Sequence, residues 1–350
     1  LPTTRLPTTL AWVARRLMTP PKNPWGQITR TNWIDEIFRT GSIYNLNATV
    51  SGGNDRGRFL TSFGFHDREG LLISTNLKRY SLRLKSDYDL SDKITVGQNL
   101  YVNHTKARGT NTSNAYSGSI LNAIFMPAAA SVRYADGGYG GVTPLAPAPE
   151  FQFAGAYGDV YNPVALLERP SINNPVLNLN GIGYVEYSPL TNLKLRSSFS
   201  LDILRDSYKR FDPRVPEPGR SNTMNYLTQS QGQRDKWIWD NQVSYQKALG
   251  KHFFDLTAVY SAQRTNYEYY SLRGQNFDRE DSWYQYIGNA KEIVERPASD
   301  VYQEALTSAI GRLTYSFNDR YFLTGSLRRD QSSRLLKYNS DYFPAVSGAW

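Results

Sequence analysis

The segment RYSLRLKSDYDL, residues 79–90, decides the fold class of this chain. Its even-numbered positions are aromatic or aliphatic apart from one serine, whereas its odd-numbered positions carry Arg, Lys, Asp and one serine. Successive side chains of a β-strand point to opposite faces of the sheet, so this period of two predicts a strand with one apolar and one charged face. A helix would repeat every 3.6 residues, and the alternation excludes one here.

The same alternation recurs along most of the chain. It is strong in segments 94–103, 193–203 and 236–246, and weaker in 44–50, 58–65, 181–187, 254–262, 309–317 and 321–327. These segments predict about ten strands, with an eleventh that begins near Tyr342. Helical periodicity occurs at residues 33–39 alone, which predicts a helix of one or two turns. No apolar run approaches the roughly 18 residues of a transmembrane helix, which excludes a helical membrane protein.

The connections between these segments alternate between short and long. The short ones, at 51–57, 91–93, 188–192, 249–251 and 318–320, carry Gly, Asn, Asp or Pro at turn positions. The long ones span about 66–78, 105–180, 204–233, 265–302 and 331–341. Outer-membrane β-barrels have this asymmetry, with short periplasmic turns and long extracellular loops. A soluble β-sandwich or propeller, the alternative, explains the alternating strands but not the asymmetry of the connections.

The length of the segments and the placement of the aromatic residues also favour a transmembrane antiparallel β-barrel. A strand that crosses a bilayer needs about 9–11 residues at a tilt near 45°, which the strongest segments provide. Aromatic residues lie beside the short turns, where a girdle at the lipid headgroups is expected: Tyr88, Tyr187, Tyr245, Phe253, Tyr315, Phe317 and Tyr321. Backbone groups in lipid must all be paired, so we expect strands outside this chain to close the sheet.

Composition narrows the possible functions. The 350 residues include 40 Lys+Arg and 31 Asp+Glu, which gives a formal net charge of +9, and 13% of them are aromatic. With no cysteine and three histidines, the chain has no disulfide framework, no thiolate metal site and no cysteine nucleophile. The basic residues are interspersed with Asp87, Asp89 and Asp202 and form no stripe of a single sign, so we expect no nucleic-acid binding. A polar barrel lumen explains these charges better.

Five motifs, in order, resemble segments of the SusC/RagA family of TonB-dependent outer-membrane transporters from Bacteroidetes. The first two are TNWIDEIF at 31–38 and YNLNATVSGGN at 44–54. The third combines EGL at 69–71 with KRYSLRL at 78–84. The last two are GRLTY at 311–315, which leads to RDQSSR at 329–334, and FPAVS at 343–347. The resemblance extends over about residues 29–350 and is weakest in the long loops.

The resemblance implies a domain organisation and a set of partners. Residues 25–350 would form the N-terminal portion of a 22-stranded barrel, of which about 10–11 strands are present here. We expect the family's plug domain, its TonB box and the C-terminal strands to lie outside this chain. Residues 1–24 match no plug end, and we expect a linker or a segment foreign to the domain. The resemblance also implies the TonB–ExbB–ExbD system and a SusD-like surface lipoprotein as partners.

No catalytic constellation, cofactor site or metal site is predicted. His66 and His104 fall at junctions between strands and loops, and His252 lies beside a short turn, so each is expected to be an exposed polar residue. Three acidic residues of one long loop, Asp278, Glu280 and Asp281, could bind a cation. The spacing of an EF-hand is absent, however, and we expect a solvated group of loop charges.

Aromatic residues in the long loops are the candidate contacts for a substrate or a partner: Tyr134, Tyr139, Tyr157, Tyr161, Trp283, Tyr284 and Tyr286. Aromatic faces beside Asn and Asp suit sugar rings or peptides, although the same rings could pack loop against loop or against a partner protein. The sequence thus predicts a non-enzymatic transporter in the outer membrane of a Gram-negative bacterium, which imports an oligosaccharide or a peptide across the lipid bilayer. A passive porin or adhesive barrel and a soluble β-rich carbohydrate-binding domain are the alternatives.

Overall fold

The computed structural model of the chain describes residues 30–110, 112, 114, 118–142, 159–217, 220–337 and 339–350. The predicted foreign segment 1–24 therefore lies outside the described residues. Within these residues lie three short α-helices, α1 (Trp33–Ile37), α2 (Ser119–Phe125) and α3 (Pro163–Glu168), and one 3-10 helix at Ile287–Asn289. The strands are β1 (Ile43–Asn54), β2 (Gly57–Glu69), β3 (Asn76–Ser91), β4 (Ile94–Arg108), β5 (Ser171–Asn173), β6 (Pro175–Leu190), β7 (Leu193–Asp212), β8 (Tyr226–Leu249), β9 (His252–Gln275), β10 (Glu292–Ile293), β11 (Ala298–Phe317), β12 (Tyr321–Ser332) and β13 (Ser340–Ala349).

All thirteen strands belong to one antiparallel sheet. Eleven long strands follow one another in chain order from β1 to β13, and the short strands β5 and β10 are attached to β7 and β9. The predicted all-β antiparallel fold with ten or eleven main strands is therefore confirmed. Among the described residues, β1 and β13 form the two edges of the sheet. None of the helices in the described part of the chain is long and apolar enough to cross a membrane.

Short turns join the strands at one end of the sheet, which we call the short-turn end. The opposite end carries the long connections and is the long-loop end. At the turn between β11 and β12, Asn318 and Asp319 have φ angles of 51° and 52°. Asn and Asp adopt this left-handed region more readily than other side chains, which is why a tight turn forms here without glycine.

The strands are longer than the sequence predicts, and the predicted loops 204–233 and 265–302 are correspondingly wrong. Strand β7 continues to Asp212, β8 begins at Tyr226, and β9 continues to Gln275. The apolar alternation that identified these strands ends well before the backbone pairing does. Ladder hydrogen bonds join backbone groups and require no particular side chain, so a strand can continue after its apolar face has ended.

Two of the helices were missed from the sequence. The 3.6-residue pattern identified α1 within residues 33–39, but the connection 105–180 also contains α2 and α3. These helices have seven and six residues, and the sequence around them follows no clear 3.6-residue repeat. The start of α3 does have a signal in the sequence, since Asn162 caps its N-terminus and Pro163 occupies the first turn.

The outer face of the sheet, defined as the face that carries the apolar side chains, has an apolar belt. On β7 the belt extends from Leu193 to Ile203, and on β9 it ends at Ala262. Charged groups follow at the long-loop side of the belt on several strands. Lys78 Nζ lies 2.9 Å from Asp67 Oδ2, and Arg205 NH2 lies 2.7 Å from Asp235 Oδ1. Together these residues mark the limit of the belt on its long-loop side, which we call the top of the belt.

The strand register gives the tilt of the strands relative to this belt. Following paired residues from Phe65 at the top of the belt on β2 leads through six strand pairs to Glu268 on β9. On β9, however, the belt ends six residues earlier, at Ala262. The end of the belt therefore shifts by one residue, about 3.3 Å, from each strand to the next, while neighbouring strands lie about 4.8 Å apart. This ratio corresponds to a strand tilt of about 35°. Strands of outer-membrane barrels have tilts of this size.

The buried hydrophobic residues cluster at the long-loop end rather than along the sheet. One cluster joins the three helices through Trp33, Ile37, Ala123, Val164 and Leu167. A second consists of Phe211, Leu227 and Phe277, none of which is accessible to solvent. Belt residues such as Phe199 and Trp239, by contrast, are 47% and 46% exposed. The sheet therefore has no conventional two-sided core among the described residues.

Candidate functional site

The inner face of the sheet, opposite the belt, is polar over its whole height. Its ion pairs include Arg58 with Asp87 (3.0 Å), Lys194 with Glu186 (2.8 Å), Arg234 with Asp202 (3.3 Å) and Arg328 with Asp330 (2.7 Å). Amide side chains occupy many of the remaining positions: Asn45, Asn47, Asn99, Asn103, Asn178 and Asn180. Such a wall offers donors and acceptors to a hydrophilic solute along its whole length.

Near the short-turn end, one tyrosine lies across the inner face and depends on a glycine beneath it. The Tyr184 hydroxyl donates to Asp87 Oδ1, and the Arg196 guanidinium carbon lies 3.9 Å from the Tyr184 ring centroid. A Cβ atom at Gly97 would come within 2.4 Å of the Tyr184 ring. Glycine at this position therefore leaves room for the ring to lie flat on β4. Tyr184 of β6 then forms one polar cluster with Asp87 of β3 and Arg196 of β7.

The inner face carries several grooves, among them one across β1 to β3 that Arg58, Lys85 and Asp87 line. Two others cross the middle of the sheet. The first, across β3 to β8, has a volume of about 420 Å³ and is lined by Arg83, Asn99, Tyr101, Asn180, Asp202 and Lys236, with Ile182 and Ile238 among the apolar contacts. The second, across β7 to β12, has about 320 Å³ and is lined by Arg196, Asp240, Gln242, Gln263 and Arg328, with several serines. Both grooves lie at the same height in the sheet as the belt, but on the opposite face.

At the long-loop end, α3 packs on the inner face of the sheet. A cavity of about 230 Å³ lies between α3 residues and the inner-face residues Arg210, Asp212, Tyr226 and Arg273. Asn162, which is 3% exposed, holds this region together. Its Oδ1 accepts hydrogen bonds from the backbone of Val164 and Ala165, while its Nδ2 donates to the carbonyl oxygens of Val132 and Gly140.

Arginines and tyrosines alternate around this cavity. The Arg169 guanidinium makes a two-pronged ion pair with the buried Glu217, in which NH1 lies 3.0 Å from Oε2, and it also lies 4.8 Å from the Tyr139 ring centroid. The Tyr139 hydroxyl donates to Glu168 Oε2 at 2.8 Å. Burial, together with that bond to a carboxylate, raises the pKa of Tyr139. Arg220 stacks on Tyr161 in the same way, at 4.2 Å.

The connection 276–297 packs on the outer face instead. Phe277 and Phe211 make an edge-to-face contact with ring centroids 5.4 Å apart, and Leu227 and Tyr284 pack against them. Asn225 fixes the connection, since its side chain bonds both the N–H and the C=O of Phe277. Tyr286 lies 4.5 Å from Nζ of Lys209, an outer-face residue of β7, and Trp283 stands 60% exposed beside Tyr284.

The seven predicted loop aromatics therefore separate into two groups. Tyr134, Tyr139 and Tyr161 belong to the region of α3 on the inner face, where the Tyr134 hydroxyl accepts from Gly141 N–H. Trp283, Tyr284 and Tyr286 lie on the outer face with the connection 276–297. Tyr157 lies outside the described residues. Sequence reasoning missed an inner-face pair, Tyr267 and Tyr302, whose rings stack with centroids 4.9 Å apart on β9 and β11.

The histidines and the loop carboxylates have ordinary polar partners. His66 hydrogen-bonds Asn45, and His252 Nδ1 lies 2.7 Å from the Tyr315 hydroxyl. Asp278, Glu280 and Asp281 each pair with a different cation, namely Lys291, Arg214 and Arg279. Across the part of the chain that the structure describes, no group of three or more His, Cys, Asp or Glu side chains could hold a metal ion.

Comparisons with known proteins show a similarity to TonB-dependent receptors. The chain is 24% identical over 336 residues to TonB-dependent receptor P3 of Formosa agariphila, which covers 91% of the chain and 31% of that protein. It is also 24% identical over 336 residues to the TonB-dependent receptor SusC of Bacteroides thetaiotaomicron, with 91% and 32% covered. The chain thus spans about a third of the length of these relatives. No protein-family profile matches it.

Solved structures support the same fold. A structure of the RagAB peptide transporter superimposes with a TM-score of 0.74 at 19% identity and covers 92% of the chain and 35% of its own. The RagAB peptide importer in its open-open state gives a TM-score of 0.70. The pyoverdine-bound FpvA structure of Pseudomonas aeruginosa matches more loosely, at 0.51. The resemblance of the chain to SusC/RagA-type TonB-dependent transporters, and its fold as a portion of such a barrel, are thereby confirmed.

Proposed function

We propose that this chain is part of the barrel of an outer-membrane transporter that imports an oligosaccharide or a peptide, with energy supplied through TonB. The observation that carries the proposal is the division of the same strands into an apolar belt and a polar inner wall. The belt is nine to eleven residues deep with a strand tilt of about 35°, which matches a bilayer-spanning barrel. In this arrangement the short turns face the periplasm and the long loops the exterior.

The binding and passage of cargo in this proposal require no covalent chemistry. The inner wall supplies amides, paired charges and tyrosines, which exchange hydrogen bonds with a hydrated solute. Tyr134, Tyr139 and Tyr161, together with Tyr157, would meet the cargo at the outer mouth of the lumen. Trp283, Tyr284 and Tyr286, on the other side of the wall, would instead meet a partner protein. The names of the relatives, all TonB-dependent receptors, support transport over an enzymatic role.

The proposed partners follow from the same comparisons. The TonB–ExbB–ExbD system would act through a plug domain that enters the barrel from outside this chain, and further strands would close the barrel between β13 and β1. A SusD-like surface lipoprotein would cover the long loops. The name of the similar RagAB peptide transporter, which joins two components, supports such a partner. The protein would accordingly reside in the outer membrane of a Gram-negative bacterium.

Uptake by the complete protein with and without TonB tests this function. Cells that express it in the outer membrane would be given fluorescent oligosaccharide and peptide mixtures, in a parent strain and in its TonB deletion. We expect accumulation only with TonB, and no swelling of liposomes that contain the purified protein. Equal uptake in both strains together with liposome swelling would show a passive porin. A complete protein that stays monomeric in buffer without detergent would contradict the membrane location.

A further inference from the structure

The outer face of the sheet carries a row of cations directly above the top of the belt. The first outer-face side chain above the belt is Lys78 on β3, Arg205 on β7, Arg264 on β9 and Arg329 on β12. On β4 the second one is Lys106. We call these five residues the cationic border. A plug domain inside the barrel would lie on the opposite face of the sheet and would not reach it.

The lower end of the belt has a different chemistry. Aromatic side chains predominate over cations on the outer face there: Tyr88, Tyr187, Tyr245, Phe254, Tyr315, Phe317 and Tyr321. Tyrosine rings settle at the headgroup level of either leaflet, whereas Lys and Arg are attracted to anionic headgroups. The difference between the two ends of the belt therefore indicates that the leaflet at the long-loop end has the more anionic headgroups.

Two lysines of the cationic border are placed side by side. Lys78 and Lys106 are direct partners in the ladder of β3 and β4, where opposite Cβ atoms are about 4.5–5.5 Å apart, and both side chains are exposed. Like charges in this position repel each other and destabilise the sheet. Asp67 on β2 lies 2.9 Å from Lys78 Nζ and offsets one of the two charges. An anion bound beside Lys106 would offset the other and would stabilise the pair.

Arg264 extends the cationic border into a group of amides. Its guanidinium donates to Gln303 Oε1 at 2.7 Å and to Asn266 Oδ1 at 3.2 Å. Both acceptors are neutral, so these bonds orient the exposed side chain and leave its charge in place. Higher on the outer face, the Tyr270 hydroxyl donates to Gln231 Oε1 at 2.6 Å. Amides and phenolic hydroxyls of this kind exchange hydrogen bonds with sugar hydroxyls.

We propose that the cationic border binds the phosphate groups of a glycolipid in the outer leaflet, with Lys106 and Arg264 on phosphate and the amides above them on sugar hydroxyls. Phosphate oxygens form charge-assisted bonds with ammonium and guanidinium donors. The acyl chains of such a lipid would lie against the belt, directly below the border. Both β4 and β9 lie between two other strands of this chain, so the strands that would close the barrel are not their neighbours. The inference rests on the orientation in the proposed function, in which the long loops face the exterior.

Lipid binding by the purified complete protein in detergent tests this assignment directly. Native mass spectrometry would measure the binding of bisphosphorylated lipid A, of its dephosphorylated form, which has the same sugars and acyl chains, and of phosphatidylglycerol. We expect the bisphosphorylated form to bind most tightly. The double variant Lys106→Gln/Arg264→Gln should lose about fivefold in affinity for it per removed cation. The dephosphorylated form should bind equally to both proteins.

The matched control is Lys247→Gln, which removes an exposed outer-face cation on β8 at the short-turn end, below the belt. Its affinity for bisphosphorylated lipid A should equal that of the parent. Equal binding of the two lipid A forms, a preference for phosphatidylglycerol, unchanged binding by the double variant, or an equal loss in the Lys247 variant would each overturn the assignment. None of these results depends on TonB, so uptake that still requires TonB would leave the transport proposal standing while this one fails.

Discussion

Two long connections pack on opposite faces of the same strands at the long-loop end. The inner cap, residues 118–142 with α2 and 159–170 with α3, lies on the luminal side and carries paired charges stacked on tyrosines. The outer cap, residues 276–297, covers the opposite face through Phe211, Leu227 and Phe277. The difference shows how one sheet presents two surfaces: charged and hydroxyl groups line the inner face, and the apolar side chains near the long-loop end of the outer face are covered by the chain itself.

Both caps are fastened by buried asparagines, and in the inner cap Asn122 also joins the Gly118 carbonyl to the Tyr161 amide. Asn162 joins four backbone groups of the inner cap, and Asn225 joins both backbone groups of Phe277 in the outer cap. Backbone polar groups in a buried connection have no ladder partner, and an amide side chain supplies both a donor and an acceptor in their place. The caps therefore differ in surface chemistry but share one means of attachment.

Removal of the Phe277 ring should have the largest effect and should affect the outer cap alone. Phe277→Ala removes a fully buried ring from a cluster of three, with an expected cost of about 3–5 kcal/mol to the attachment of the cap. Limited proteolysis of the complete protein should then cut within 276–297. The control Tyr286→Ala changes a ring that is 61% exposed and should leave cleavage unchanged. Cleavage within the inner cap at an equal rate would show that the caps are not independent.

A charge in the apolar belt should have the next largest effect. Phe199→Arg places a guanidinium on the outer face at mid-belt, at a cost of about 2–4 kcal/mol to the free energy of unfolding. Gln233→Arg makes the same kind of change on the outer face above the belt, beside Glu268, and should be close to neutral. Urea unfolding of the complete protein in liposomes measures both. Similar costs at the two positions would contradict the boundary between belt and upper wall.

Replacement of Asn162 or Asn225 should show how strongly each asparagine attaches its cap. Asn162→Ala and Asn225→Ala each leave buried backbone groups without partners, at about 1–3 kcal/mol. We expect the larger cost for Asn162, since it bonds four backbone groups and also caps α3. Hydrogen exchange at Val164, Ala165 and Phe277 amides would report each attachment separately. Exchange that rises in the opposite cap would contradict two separate attachments.

Acidification should have the smallest effect and should act beside the inner cap. Hydrogen bonds from Ser42 hold the pKa of Glu69 below its ordinary value, with a smaller contribution from Arg39. Because the pKa is lower in the folded state, this stabilisation is present above the ordinary glutamate pKa and is lost as the pH falls through the folded value. Protection of amides 70–75 should drop below about pH 4. Ser42→Ala should make that drop smaller, and outer-cap amides should show no such dependence.

The sequence predicted well those parts of the molecule whose side chains meet a uniform environment. Residues 79–90 alternate between the apolar outer face and the polar inner face, and a period of two was therefore enough to identify β3 and its neighbours. The upper halves of β7, β8 and β9 were predicted as loops because polar residues occupy both of their faces there. The Tyr267–Tyr302 pair was lost with them. Its only sequence signal is the period of two. Tyr267 and Tyr302 occupy inner-face positions in parts of β9 and β11 that were predicted as a loop.

The candidate site was predicted less well, for a physical reason. The sequence around loop aromatics such as Tyr139 and Tyr286 indicates no face of the sheet, and only the path of each connection decides which face it covers. The ion pairs of the inner face depend on which side chains the neighbouring strands bring within reach. Asp202 and Arg234 are distant in sequence, and they meet as diagonal neighbours on β7 and β8. Pairing of this kind is set by register rather than by local pattern.

By itself, the sequence determined an antiparallel sheet with one apolar and one polar face, the alternation of short turns and long connections, and the resemblance to SusC/RagA transporters. These follow from local periodicity and turn chemistry, which each segment carries on its own. The tertiary structure alone decided the strand tilt of about 35°, the extension of the strands beyond the belt, the opposite placement of the two caps and the ion pairs of the inner face. Each of these depends on register between distant segments, which only the folded chain specifies.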